Sequence, residues 1–183
     1  ELAAHRQRLR QRYRIDHFIG QGPAMKRVLE QFSLAKGSQA SVFLWGASGT
    51  GREHLARMLH FESQTPQRSF VPLDCTTEKW QLKSTLKRLV ELPAEENPAR
   101  LGLQPRTVFL KHVDALPRDV QESLLEAFSG NDPPRWRLLS ASAKSLHQLV
   151  EEEEMLPEME YFLSTLTIRL PTLRERREDL FPL

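Results

Sequence analysis

Cysteine is nearly missing from this chain of 183 residues, with Cys75 standing alone. That excludes an internal disulfide framework and fits a reducing compartment. Nothing in the sequence identifies a base to activate a lone thiol, so Cys75 is expected to be a small buried residue. Long apolar runs are missing too. The longest, Val42–Trp45, falls far short of the length that crosses a bilayer, and the charged opening residues carry no leader-like apolar stretch. A large net charge is also lacking: 26 Lys+Arg against 24 Asp+Glu leave +2, so overall electrostatics do not call for nucleic acid. What remains, 39% hydrophobic and 27% charged residues without internal repeats, describes one globular domain able to bury a core, expected in the cytoplasm.

Charge is asymmetric only locally. His5–Arg14 holds five arginines and no acid, whereas Glu151–Glu154 is a short acidic block; both read as solvated helix faces. Residues 1–17 are expected to form a basic helical linker and residues 18–183 the domain proper. Pro23 opens a helix with Met25, Val28, Leu29, Phe32 and Ala35 at helical spacing, closed by Gly37. Strands are then expected at 41–45, 69–74, 106–114, 135–142 and 163–170. Helices are expected at 52–61, 78–91, 117–128 and 143–154, with a Pro- and Gly-containing loop over 92–105. That alternation predicts a parallel sheet of five strands with helices on both faces, and ligands bind such sheets beyond the carboxyl ends of the strands.

Between the first strand and its helix lies GASGTGRE, Gly46 to Glu53. A loop of this kind curls so that successive N–H groups and a helix N-terminus form a nest for phosphate oxygens. Gly46, Gly49 and Gly51, bracketed by strand and helix, have the context that the motif requires. The position that ordinarily carries a lysine is Arg52, wider and planar where lysine is a compact point charge. The next position, which ordinarily offers a hydroxyl to Mg²⁺, is Glu53.

The segments FIGQGPAMKRVLE, GASGTGRE, ARMLH, FVPLDC, FLKHVDALPRDVQESLLEAF and IRLPTLRERREDL together resemble the AAA+ domain of bacterial enhancer-binding proteins, the activators of sigma-54 RNA polymerase. The likeness runs from about Phe18 to Leu183. It implies an α/β P-loop NTPase fold, a three-layer sandwich, with the chain ending before the family's helical lid. The family's loop usually reads G-E-S-G-T-G-K-E, so Glu53 is normal there and only Ala47 and Arg52 depart. The resemblance implies nucleotide contact at Ile19, Gly20, Gly46, Ala47, Ser48, Gly49, Thr50, Gly51, Arg52 and Glu53.

Other positions depart further. Where the family has an Asp that holds Mg²⁺ and a Glu that polarises water, this chain has Lys111 and His112, expected as a surface-facing pair without a catalytic role. A cation at the metal position repels Mg²⁺. The family's switch asparagine falls on Asp74, and the asparagine that often ends the fourth strand falls on Ala143. Two arginines that act on the neighbouring subunit's nucleotide fall on Leu156 and Phe162, and such an arginine is worth about 10³–10⁵ in rate. The loop that touches sigma-54 has no counterpart between Cys75 and Thr107.

These substitutions point to a degenerate module of a transcription-regulatory or signalling protein, a pseudo-ATPase with no catalytic residues and no metal. It would bind ATP or ADP weakly, without Mg²⁺, through Arg52 with Lys111 nearby. Expected partners are other domains of a regulatory protein. Sigma-54 is not expected among them, nor a membrane, nor DNA held by this domain, and a monomer or dimer is expected in place of a stable hexamer. Two readings stand beside it: an active ATP-dependent sigma-54 activator with rearranged catalytic groups, and a DNA-binding module using the N-terminal arginines. Arg174–Asp179, which mixes signs, reads as an intramolecular ion-pair segment.

Overall fold

The computed structural model describes residues 7–9, 11–13, 20, 22–63, 69–91, 105–131, 134 and 136–179. In chain order the elements are α1 (Pro23–Lys36), β1 (Val42–Trp45), α2 (Arg52–Phe61), β2 (Ser69–Asp74), α3 (Lys79–Val90), β3 (Pro105–Lys111), α4 (Arg118–Ser129), β4 (Arg137–Ser142), α5 (Leu146–Glu151), α6 (Pro157–Leu163) and β5 (Thr167–Arg169). Short 3-10 turns cover Val113–Ala115 and Leu173–Asp179.

The five strands form one parallel sheet in the order β2-β3-β4-β1-β5, as the alternation of strands and helices predicts. Side chains on a strand point alternately to the two faces, and both faces are buried here. Phe43, Val108, Leu110 and Leu138 pack on one side with buried residues of α3, α4, α5 and α6. Val42, Leu44, Phe109 and Leu139 pack on the other with α1 and α2. Three layers follow from that alternation.

Buried polar side chains tie the layers together. The Arg137 guanidinium donates to Ala35 O at 2.7 Å and Ala40 O at 3.0 Å, which satisfies carbonyls at and just beyond the end of α1. Gln121 donates to Leu116 O and Glu154 O and accepts from the Leu156 N–H, each at 3.0 Å or less.

Several boundaries differ from the sequence expectation. β3 stops at Lys111 because His112 adopts a left-handed conformation (φ 53°, ψ 53°) and turns the chain. α5 ends at Glu151, and the acids after it fold back so that Lys144 pairs with Glu152 and Glu154. β5 spans only Thr167–Arg169, and α6 precedes it where the sequence pattern predicts no helix. The signals for α6 are Pro157 at its first turn and Met159 and Leu163, buried four residues apart. The expected linker 1–17 and loop 92–105 lie largely outside the described residues; of the linker, residues 7–9 and 11–12 are helical.

Candidate functional site

Beyond the carboxyl end of β1 the chain makes the predicted curl. Gly49 (φ 80°) and Gly51 (φ 96°) are left-handed, a conformation that costs other residues free energy. Gly46 is required for a different reason: a Cβ there would lie 2.5 Å from the Leu170 carbonyl oxygen. Thr50 is buried, and its hydroxyl donates back to Ala47 O at 2.9 Å, closing the loop on itself. Ala47 and Ser48 lie exposed on the rim.

The loop borders a cleft of about 330 Å³ whose lining includes Gly49, Gly51, Arg52, Glu53, Lys111 and His112. Arg52 begins α2. Burial lowers its pKa and the negative charge of Asp114 opposes that effect, so the guanidinium remains a cation. Asp114 also accepts from Ser142 Oγ at 2.8 Å, which anchors the turn after β3 to the end of β4.

Lys111 and His112, expected as a surface-facing pair, are part-exposed at the lining of the cleft, and both are bonded. Lys111 Nζ lies 3.1 Å from Glu53 Oε2, while Glu53 Oε1 accepts from Arg57 at 2.7 Å. Hydrogen bonding from Arg57 lowers the Glu53 pKa against the effect of burial, and Lys111 adds to the lowering. His112 Nδ1 lies 3.1 Å from Asp74 Oδ1, and an ionised carboxylate only accepts, so Nδ1 carries the proton. Burial pushes the Asp74 pKa up, but hydrogen bonds from Thr76 and His112 outweigh it and hold the group at about 2.

The remaining candidates are scattered. Ile19 lies outside the described residues. Gly20 sits against Met25 and Asp179 and does not line the cleft. Leu156 and Phe162, the expected places of the trans-acting arginines, serve packing: Leu156 is buried, and Phe162 is partly buried and packs on Phe128 with ring centroids 5.0 Å apart. Ala143 is exposed beyond β4. Cys75 is buried as expected, and burial pushes its thiol up to about 12. In the mixed-charge tail, Glu175 pairs with Arg169, while Asp179 accepts from the Gly22 N–H at 2.9 Å.

Sequence reasoning missed Asp114, and it missed the pairing of Glu53 with Lys111. The Glu53–Arg57 pair is visible in the sequence as opposite charges four residues apart on a helix. The Lys111 contact requires the first turn of α2 to reach the end of β3, which only the sheet order supplies.

A phosphate or nucleotide fits this site at the level of donors: a glycine-built nest, a helix N-terminus and the Arg52 cation face one cleft. The donor set facing the cleft is a poor match for a magnesium ion: Glu53 is already paired with the Lys111 ammonium, and among the described residues no group of three or more His, Cys, Asp or Glu side chains is placed to hold a metal.

Residues 19–173 match the model of the Sigma-54 interaction domain. A signal-transduction and transcriptional-control protein of Clostridium beijerinckii is 30% identical over 92% of this chain and 29% of its own length. The transcriptional regulatory protein ZraR of Klebsiella oxytoca is 31% identical over 90% of this chain and 41% of its own length. The chain thus spans less than half the length of these curated relatives. Among solved structures, NtrX from Brucella abortus in complex with ATP superposes with a TM-score of 0.70 at 23% identity, covering 91% of this chain and 39% of that one. The P-loop NTPase domain of the Sigma-54 transport activator from E. coli superposes with a TM-score of 0.64 at 24% identity, covering 85% and 99%.

Proposed function

The chain belongs to the Sigma-54 interaction domain family, and from that premise we propose that it is a nucleotide-binding regulatory module that does not hydrolyse ATP and takes its nucleotide without Mg²⁺. The observation that carries this reading is the Lys111–Glu53 pair at 3.1 Å. Phosphoryl transfer in P-loop proteins depends on a metal ion that bridges and neutralises the terminal phosphates. Here a fixed ammonium supplies positive charge at that end of the cleft, and Arg52 supplies more at the head of α2.

The loop N–H groups and Arg52 would hold the phosphates, and Lys111 would face them from β3. That NtrX was solved with ATP supports nucleotide as the ligand class. The apolar side chains of Leu156 and Phe162 stand where the family has groups that act on a neighbour's nucleotide, which favours a monomer or dimer over a ring. In the whole protein the module would pass a signal between domains of a transcription regulator. Relatives named for signal transduction and transcriptional control support that role. Calorimetry with ATP and ADP, with and without Mg²⁺, together with a phosphate-release assay, tests the reading. Equal affinity in the two conditions and no release are expected; binding that requires Mg²⁺, or turnover, overturns it.

A further inference from the structure

Tyr13 follows the helical residues 11–12, and its ring stacks on Phe61 (centroids 5.6 Å apart, planes 8° apart) and tilts against His54 at 5.2 Å. His54, Arg57 and Phe61 lie on one face of α2, the helix that follows the phosphate loop. The Arg57 guanidinium lies 5.7 Å from the Tyr13 ring and 4.9 Å from the Phe70 ring. It is therefore held between two aromatic faces, each within about 6 Å, the range over which a ring attracts a cation. Its Nε and Nη2 both donate to Glu53 Oε1, at 3.1 and 2.7 Å, while the other oxygen of Glu53 holds Lys111.

We propose that this series of contacts is a relay: docking of the N-terminal segment through Tyr13 fixes Arg57, Arg57 fixes Glu53, and Glu53 holds Lys111 at the wall of the phosphate cleft. Undocking removes one aromatic face from Arg57, loosens Glu53 and frees the Lys111 ammonium to move toward a bound phosphate. The segment would thus tune the affinity of the site for an anion. The tuning rests on the nucleotide reading above, whereas the relay itself is a property of the chain alone.

The experiment measures how fast an amine-reactive reagent labels Lys111, by mass spectrometry on the ligand-free chain, in the parent, Tyr13→Ala, Tyr13→Phe, Glu53→Gln and the Tyr13→Ala/Glu53→Gln double variant. Cys75, buried in the core, serves as a reporter of unfolding and should stay unreactive to a thiol reagent throughout. The relay predicts several-fold faster labelling in Tyr13→Ala and in Glu53→Gln, little change in Tyr13→Phe, and no further gain in the double variant. Unchanged labelling in Tyr13→Ala, or additive gains in the double variant, overturns it. A parallel titration with Mg²⁺-free ADP should show tighter binding in Tyr13→Ala. If the parent binds no ADP while the labelling pattern holds, the nucleotide reading fails and the relay is upheld.

Discussion

Gly51 leads into α2 at φ 96° and ψ 22°, with open space where a Cβ would stand. An alanine there meets only the intrinsic cost of a left-handed residue, so Gly51→Ala should destabilise the fold by about 1 kcal/mol. Gly46→Ala should cost more, roughly 2–3 kcal/mol, because its Cβ would lie 2.5 Å from a backbone carbonyl that cannot swing aside. Urea unfolding of the two variants checks both the sizes and the order. A second residue-scale prediction concerns acid. Asp74 is held at about 2 against an ordinary value of 3.8, so its contribution to stability is present above about pH 4 and is lost as pH falls toward 2. Asp119, held at about 2 by Lys83 and Lys79, titrates in the same window. Asp74→Asn should therefore shorten the acid limb of stability without abolishing it. The side chain is more than a third exposed, so solvent screening keeps the limb shallow. Denaturation midpoints at about pH 5, above that window, and at about pH 2.5, well inside it, measure the difference.

Between elements, the sharpest dependence runs through Arg137. It leaves β4 to donate to carbonyls at and just beyond the end of α1, so Arg137→Ala removes a charge-assisted cap that bridges two elements and leaves Ala35 O with only backbone donors such as the Ser38 N–H. A destabilisation of roughly 3 kcal/mol is expected from urea unfolding. The partnership also shows what the sequence could and could not convey. The sheet and most of its helices are legible because their signals are local: apolar alternation, Pro23 at a helix start, and glycines between a strand and a helix. Misplaced boundaries come from tertiary overrides, as at His112, where a left-handed residue ends a strand that the pattern would have continued. At the site, the identity of the loop is legible, while the state of its charges is not. Whether Lys111 faces water or Glu53 depends on the helix after β1 reaching over β4 to β3, two strands away, and no spacing along the chain encodes that.

For the molecule as a whole, the proposed inability to hydrolyse can be separated from the fold by installing together the residues that the family resemblance leads one to expect: Arg52→Lys, Lys111→Asp and His112→Glu. Removing Lys111 leaves Glu53 without that cation, and the new carboxylates at 111 and 112, at the end of β3, lie beside Asp74 at the end of β2. Like charges gathered there repel one another until a divalent ion arrives. The triple variant should therefore melt below the parent in the absence of Mg²⁺ and recover part of the difference when Mg²⁺ and nucleotide are added, because a ligand that binds only the folded state stabilises it. Phosphate release should stay absent even then, since Leu156 is buried in the core and Phe162 packs against it, leaving no arginine at those positions to reach a neighbour's nucleotide. Melting curves with and without Mg²⁺ and ADP check the first expectation. A parent chain that Mg²⁺ already stabilises in the presence of nucleotide would show that the Lys111–Glu53 pair yields to the metal, and the metal-free reading would fall with it.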